Sequence, residues 1–313
     1  MTEMSTPAYI VKNFHPDDFS SYVELNVEAA HLAPTGHPAS PQALSEELGR
    51  PNYLPEQDLF IAELAGKVIG YMDVRAELGI GRAVLDCLVH PEHRKKGLAT
   101  ELFHHASRRA REQGARVAHV NIPEDNVAAR ALLSKLGFRF ARRFLNLTLE
   151  LSEARLLDQE KVALPSRHLQ RGEEAELTRI QNRCFAATWG YNPNTLEEIV
   201  YRLKLAGSSP EDVILVCRGN APVAYCWTLT SPGASAAAGA NVGRIYMLGV
   251  DPDYRGRGIG KQALLAGLAH LKSKGIQVVE LTVDSQNTAA CALYQSGGFR
   301  ISSTSAWHEK ALD

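Results

Sequence analysis

The sequence predicts an α/β protein that uses one fold twice. Short apolar runs with many β-branched residues alternate with longer amphipathic stretches, the pattern of strands alternating with helices. The same order of elements occurs in both halves of the 313-residue chain. A constant separation of 161 positions relates Arg94 to Arg255, Gly97 to Gly258, Asn126 to Asn287, and Gly137-Phe138 to Gly298-Phe299. A fixed period without gaps indicates an internal duplication.

The first half contains a complete set of strands and helices. A strand near Tyr9–Val11 leads to an acidic helix start at Asp17 and Asp18, and a proline-rich segment follows. The patterns after it predict a helix at 43–48, hairpin strands at 59–64 and 68–74, a strand at 84–89, a helix after 97, a strand at 117–122, a helix at 127–136, and strands near 144–149. The N-terminal domain is therefore predicted to span residues 1–151.

The second half repeats this order after a charged, unpatterned linker at 152–164. The predicted elements are a helix at 173–184, hairpin strands at 213–216 and 223–229, a strand at 245–250, a helix after 258, and a helix opened by Asn287. The hairpins of the two halves are 154 positions apart, and the low-complexity loop 231–240 accounts for the difference from 161. The C-terminal domain is predicted to span residues 165–313.

Composition argues against several classes of protein. A net charge of −1 does not suit a general nucleic-acid surface. The N-terminus lacks a signal-peptide pattern, and no apolar run approaches the roughly 20 residues of a membrane span, so we expect a cytoplasmic protein without membrane contact. Its five scattered cysteines lack Cys-x-x-Cys spacing, which predicts buried thiols rather than disulfides or a metal site.

A glycine-rich segment follows the strand at 245–250. Arg255-Gly256-Arg257-Gly258-Ile259-Gly260 opens the next helix, where unpaired N–H groups and the helix dipole favour a phosphate. A simple chain turn, a dinucleotide-binding fingerprint, and the Arg-x-x-Gly-x-Gly signature of acyl-coenzyme A binding all fit these residues. A Walker loop is excluded because Gln262 follows Lys261 where Ser or Thr is needed.

The first copy of this loop favours the acyl-coenzyme A interpretation. Arg94-Lys95-Lys96-Gly97-Leu98-Ala99 keeps the arginine, the glycine three residues later, and a small residue two further on. It lacks the other glycines, so the dinucleotide fingerprint is lost while the acyl-coenzyme A signature remains.

With these motifs the chain resembles a tandem member of the GNAT acetyltransferase superfamily. The resemblance implies two domains, each a mixed, mostly antiparallel sheet flanked by helices, and acetyl-CoA as the cofactor. The sheet would open at a bulge in the strand before each loop, a position that Gly249 suits. The implied binding residues are Leu88, Val89, Arg94, Lys95, Lys96, Gly97, Leu98, Ala99 and Asn126 in the first copy, and Leu248, Gly249, Val250, Arg255, Gly256, Arg257, Gly258, Ile259, Gly260 and Asn287 in the second.

The resemblance also implies a reaction. Tyr294 matches the family's usual general acid, whereas the first copy has Leu133 at that position. We therefore expect acetyl transfer to a primary amine by direct attack in a ternary complex, catalysed by the C-terminal domain. The amide near Leu248 would stabilise the oxyanion. The N-terminal domain is expected to bind or to support the structure without catalysing.

The acceptor and the general base stay open. Glu280, Asp284, Tyr246 or a water chain could take the proton from the amine, and the aromatic segment 184–192 could form the acceptor pocket or cap a core. A two-domain branch of the family with this layout carries a catalytic glutamate two residues before the tyrosine that corresponds to Tyr246. Arg244 stands there in this chain, and a cation cannot be a base. We expect a small-molecule amine; a coenzyme A sensor without catalysis and an enzyme acetylating protein amino groups are the alternatives.

Overall fold

The structure is a computed structural model that describes residues 9–32, 40–154, 164–230 and 241–312. Its helices are α1 (Phe19–Leu32), α2 (Pro41–Leu48), α3 (Pro55–Asp58), α4 (Leu98–Glu112), α5 (Val127–Lys135), α6 (Glu174–Phe185), α7 (Leu196–Arg202), α8 (Ile259–Ser273) and α9 (Thr288–Ser296). Its strands are β1 (Ile10–Asn13), β2 (Leu59–Leu64), β3 (Lys67–Glu77), β4 (Arg82–Val89), β5 (Val117–Pro123), β6 (Arg139–Glu150), β7 (Ser166–His168), β8 (Val213–Arg218), β9 (Ala221–Thr230), β10 (Val242–Val250), β11 (Val278–Asp284) and β12 (Arg300–Ala311).

Most of the predicted linker and the whole predicted low-complexity loop lie outside the described residues. Within the described chain, no helix combines the length and the apolar character that crossing a membrane requires.

The chain forms two compact units that are not its two halves. The first unit contains Met1–Ile122, Val127–Ala141 and Trp307–Asp313, and the second contains Pro123–Asn126 and Arg142–Ala306. Residues 144–150 of β6 belong to the second unit because they pair antiparallel with β11. Leu312 belongs to the first unit, where its N–H donates to the Arg116 carbonyl (2.9 Å) and its side chain is buried in the core. The boundaries of the units therefore differ from the domain limits at 151 and 165.

The sheet of the first unit begins in the order β1-β2-β3-β4-β5. Among these five strands the pairs are antiparallel except β4 with β5, which run parallel over Arg82–Val84 and Val117–His119. One face packs on α4 through Leu102, Phe103 and Ala106, and the other packs on α1 and α2. The first unit is thus a mixed, mostly antiparallel sheet between two layers of helix.

The second unit repeats this arrangement with the strand order β6-β11-β10-β9-β8-β7. Among these six strands the parallel pair is β10 with β11, which extends over Val242–Arg244 and Val278–Glu280. One face of the sheet buries α8 and α9, and the other buries α6 and α7. The predicted fold class is confirmed in both units.

The sheet of the second unit opens beyond Arg244. From that point β10 keeps β9 as its partner and no longer pairs with β11. The pairing register with β9 shifts between Ile245 and Met247, which places the bulge at Tyr246. The expected bulge at Gly249 is therefore wrong. Gly249 is needed for packing instead, since a Cβ there would lie 2.8 Å from both Cys184 Cβ and Tyr225 Cε1.

Candidate active site

The glycine-rich loop of the second unit leaves open space in front of α8. Gly256 and Gly258 adopt left-handed φ angles of 73° and 78°, and a Cβ on either would meet no atom within 4 Å. Gly258 is the N-cap of α8 and supplies no side-chain cap, so the first N–H groups of the helix lack a partner within it. Arg257 and Lys261 add positive charge. The loop therefore fits a phosphate.

Arg255 braces this loop rather than extending freely into solvent. Its Nε donates to the Val250 carbonyl (3.2 Å) and its Nη2 donates to the Cys184 carbonyl (2.6 Å). The first unit repeats the first contact, since Arg94 Nε donates to the Val89 carbonyl (3.0 Å). Because Arg255 occupies the Val250 carbonyl, the N–H groups of β10 are the better candidates for holding a pantetheine.

The loop of the first unit has the same backbone conformation. Gly97 caps α4 with φ of 86°, and Lys95 adopts φ of 62° at the position equivalent to Gly256. A non-glycine residue with left-handed backbone costs about 1 kcal/mol. Leu98 and Ile259 both point into their cores, so they can contact a ligand only through their backbones. Lys96 and Ala99 complete the loop, and Ala99 stands where the second unit has Gly260.

The end of β10, the start of α8 and the middle of α9 converge in the second unit. A Cβ built on Gly260 would lie 3.5 Å from both Val250 Cγ2 and Leu293 Cδ2. Tyr294 follows Leu293 in α9, is 7% exposed, and meets the Phe299 ring edge-on with the centroids 5.8 Å apart. Its ring belongs to the same buried cluster as Cys226, which pairs with Leu248 across β9 and β10.

Burial raises the pKa of Tyr294 well above its ordinary value, and the nearby Cys226 and Cys291 thiols raise that pKa further. The phenol is consequently protonated at neutral pH, so it can donate a proton or a hydrogen bond but cannot accept a proton. At the equivalent position the first unit buries Leu133, which has no hydroxyl.

Asn287 has a structural role in this arrangement. Its side-chain Oδ1 accepts from the Ala290 N–H (3.1 Å) and caps α9, the helix that carries Tyr294. Such caps typically stabilise a helix by about 1 kcal/mol. Its counterpart Asn126 directly precedes α5. The cap accounts for Asn287 without any contact to a cofactor.

The face of the second sheet toward α6 and α7 carries polar side chains. Glu280, Thr282 and Asp284 alternate along β11 with buried apolar residues. Arg142 Nε donates to Asp284 (3.0 Å), so that carboxylate is engaged in an ion pair. Glu280 is exposed, and no described residue pairs with its carboxylate. Its Cα pairs with that of Arg244 on the neighbouring parallel strand. Among the base candidates, Glu280 is the carboxylate without a competing cation contact.

The aromatic residues of segment 184–192 make two sets of contacts. Tyr191 donates to Asn182 Oδ1 (2.7 Å) and stacks on Phe185 at 5.3 Å, so these two rings brace the segment internally. Trp189 instead reaches β6, where its ring lies 6.1 Å from that of Phe144 and 5.5 Å from the Arg142 guanidinium. Phe185 and Tyr191 therefore fit the core-capping interpretation, and Trp189 stays the candidate for a wall of an acceptor pocket.

The cysteines do not provide a nucleophile. Burial raises the pKa of Cys87, Cys184 and Cys226 to about 12, so these thiols are protonated at neutral pH. In the described chain, no group of three or more His, Cys, Asp or Glu side chains is arranged to hold a metal ion.

The sequence pattern of the acetyltransferase (GNAT) family matches residues 25–138 and 175–299, once in each half. The chain belongs to the GNAT acetyltransferase family. It is an N-acetyltransferase, and its acyl donor is acetyl-CoA. The open glycine loop before α8 and the unpaired edge of β10 fit the pyrophosphate and the pantetheine of that donor.

Similar proteins agree with this assignment. The chain is 35% identical to the mycothiol acetyltransferase of Thermobispora bispora over 68% of its own length and 71% of the relative's. It is 30% identical to the mycothiol acetyltransferase of Nocardiopsis dassonvillei, with 79% and 80% covered.

Two solved structures share the fold of this GNAT protein. The GCN5-related N-acetyltransferase of Sphaerobacter thermophilus matches with a TM-score of 0.73 at 21% identity, covering 98% of this chain and 96% of the other. The tandem GNAT protein of the clavulanic acid biosynthesis pathway matches with a TM-score of 0.70 at 15% identity, covering 97% and 98%.

Proposed function

We propose that the second unit transfers the acetyl group of acetyl-CoA to the primary amine of a small molecule, by direct attack with both substrates bound. The observation that carries this proposal is the convergence of the open loop at Gly258, the unpaired edge of β10 and the buried phenol of Tyr294 in one unit.

Each step has a candidate residue. Glu280 accepts a proton from the acceptor's ammonium group, which frees the amine to attack. The C–N bond forms while the N–H group of Leu248 stabilises negative charge on the carbonyl oxygen. As the C–S bond breaks, the Tyr294 hydroxyl donates its proton to the departing sulfur, and the proton released by the new amide nitrogen restores the phenol through water. Because no cysteine has a lowered pKa, transfer without a covalent enzyme intermediate suits these residues.

The first unit, on this proposal, binds coenzyme A or supports the fold without catalysing. Its loop has the same conformation, but Leu133 replaces the phenol. In the first unit, side chains also fill the sheet face that corresponds to the proposed acceptor side of the second unit. Arg50 holds the buried Asp73 through both carboxylate oxygens (2.8 and 2.7 Å) and lies 3.5 Å from the centre of the Tyr53 ring. Little space is left there for an acceptor.

The names of the relatives make the cysteinyl amine of the mycothiol precursor the first acceptor to test. We predict slow turnover, since Arg244 places a cation where that two-domain branch has its catalytic glutamate. The measurement is kcat/KM for this amine against other primary amines, using purified full-length protein. Efficient turnover of the precursor would show that Arg244 does not exclude that chemistry.

The experiment that tests the proposal itself is thiol release from acetyl-CoA with a panel of amines, followed by mass determination of each product. The expected product is heavier than its amine by one acetyl group. A folded protein that binds acetyl-CoA but acetylates none of the amines in a broad panel would contradict the proposal.

A further inference from the structure

Arg202 is a partly buried cation without an anionic partner. It is the last residue of α7, and its Nη1 donates to the hydroxyl of Tyr246. Its guanidinium carbon lies 5.4 Å from the centre of the same ring. No carboxylate of the described chain forms an ion pair with it. A guanidinium has five N–H donors, and its burial is favoured when these donors have an anionic partner.

In the equivalent region of the first unit, the charged side chains form ion pairs with one another. Glu47 stands 155 positions before Arg202, the separation that also relates the helix caps Ser40 and Thr195. There Glu47 accepts from Arg50 and Arg75, both at 3.3 Å, and Arg50 also holds Asp73. The charges of the first unit compensate one another.

The second unit lacks that compensation. Trp227 stands at the position of Asp73, and Leu229 stands at that of Arg75. Arg202 carries the opposite charge to Glu47 at this position, and the residues at the positions of Asp73 and Arg75 are uncharged. The guanidinium of Arg202 is therefore available to an anion that a bound molecule brings.

Arg202 lies where an acceptor would meet the reacting carbonyl. Its partner Tyr246 forms the bulge of β10 and precedes Leu248 by two residues. Tyr246 and Met247 both pack toward α6 and α7, the side of the sheet opposite α8 and Tyr294. A molecule on this side would therefore have the unpaired edge of β10 beside it and the guanidinium of Arg202 within the same wall.

The charges near the bulge favour an acceptor that carries an anionic group. Arg142 and Asp284 neutralise each other. Arg244 has the Thr282 hydroxyl as its partner (3.1 Å), and Glu280 is the nearby carboxylate without a cation. Arg202 and Arg244 thus outweigh Glu280 by one positive charge, which would repel an acceptor whose only charge is its ammonium group.

We propose that the acceptor carries a carboxylate in addition to its amine, and that Arg202 is the specificity-determining residue that binds this carboxylate. Glu280 then receives the ammonium end of the same molecule. This inference rests on the proposed function, because it names the class of acceptor for that reaction. It selects amino acids and related amino carboxylates over neutral amines.

The first test measures binding without turnover. Calorimetry in a carboxylate-free buffer compares glutarate with its neutral diamide, using full-length protein and Arg202→Gln, Arg202→Lys and Arg179→Gln variants. Arg179 is the control because it pairs with Glu176 on the exposed side of α6. We expect glutarate to bind wild type and Arg179→Gln, and to bind Arg202→Gln roughly tenfold or more weakly, the usual scale for a charge-assisted hydrogen bond. The affinity of Arg202→Lys for glutarate should be intermediate, because lysine keeps the positive charge but lacks the paired N–H donors of a guanidinium.

The second test measures selectivity in turnover. Matched pairs of ω-amino acids and their carboxamides, two to six methylenes long, are compared by thiol release. Wild type should favour the acids in kcat/KM, and Arg202→Gln should lose that preference mainly through KM. Equal binding of glutarate and its diamide, or an acid preference that survives Arg202→Gln, would overturn the inference. Glutarate binding that depends on Arg202 without turnover of any amine would refute the proposed function and leave the anion site standing.

Discussion

Tyr294 and Leu133 show how one residue can separate two otherwise similar units. Both side chains are 7% exposed and stand at equivalent points of the duplicated sequence. Leu133 contributes only packing, whereas Tyr294 brings a phenol whose pKa burial keeps high. Because its phenol is protonated at neutral pH and the first unit has no hydroxyl at the equivalent position, Tyr294 is the candidate proton donor.

Replacing Tyr294 by Phe tests that assignment. The ring still packs against Phe299, so we expect stability and acetyl-CoA affinity to change little. The rate constant for transfer should fall by roughly 10²-fold, the usual contribution of one general acid. Single-turnover kinetics with acetyl-CoA in the complex measures the chemical step directly. An unchanged rate under conditions where chemistry limits turnover would remove Tyr294 from the mechanism.

The elements around the site were predictable where the same residues determine both the sequence pattern and the backbone conformation. The hairpin of β2 and β3 turns at Ala65 and Gly66, which take left-handed backbone, and the loops before α4 and α8 follow from their glycines. Helices α3 and α7 escaped prediction because four and seven residues are too short to show a helical period. The Thr195-Glu198 capping box of α7 was the available signal.

The bulge was misplaced for a different reason. Gly249 suggested an irregular backbone, but its missing side chain serves a close contact between β10 and α6. The pairing of Arg202 with Tyr246 and of Trp189 with Arg142 joins residues that are 44 and 47 positions apart, and no local pattern announces such contacts. Long-range contacts of this kind set the acceptor side, so its chemistry required the structure.

Gly249→Ala tests the packing role of that glycine at the level of the element. The new Cβ would overlap Cys184 and Tyr225, and overpacking of this kind typically lowers the free energy of unfolding by about 1–3 kcal/mol. Urea unfolding followed by circular dichroism measures the change. Gly260→Ala is the control, since a Cβ there makes ordinary contacts at 3.5 Å. Equal midpoints for the two variants would contradict the packing explanation.

At the scale of the whole molecule, each unit is completed by a segment from the other half of the sequence. Leu147, Leu149 and Leu151 are buried in the core of the second unit, and Leu312 is buried in the core of the first. The two halves of the duplicated sequence therefore do not coincide with the two compact units.

Expressing the halves separately tests this dependence. Residues 1–151 and 152–313 should each be unstable alone, because each would expose a sheet edge and lose buried leucines. Mixed or co-expressed halves should recover a folded species. The measurement is near-UV circular dichroism and thermal unfolding of each half and of the mixture. Two halves that unfold cooperatively alone, at midpoints near that of the full chain, would contradict the claim that each unit needs a segment from the other half.

The central claim is that chemistry belongs to the second unit, and a matched pair of loop variants tests it most directly. Gly97→Glu and Gly258→Glu place a carboxylate at equivalent left-handed positions, so backbone strain is the same while each repels phosphate from one loop only. With both variants shown to be folded, calorimetry should find two coenzyme A sites in wild type and one in each variant. Turnover should vanish in Gly258→Glu and persist in Gly97→Glu. Loss of turnover in a folded Gly97→Glu that still binds one coenzyme A, with activity kept in Gly258→Glu, would place catalysis in the first unit and contradict the account.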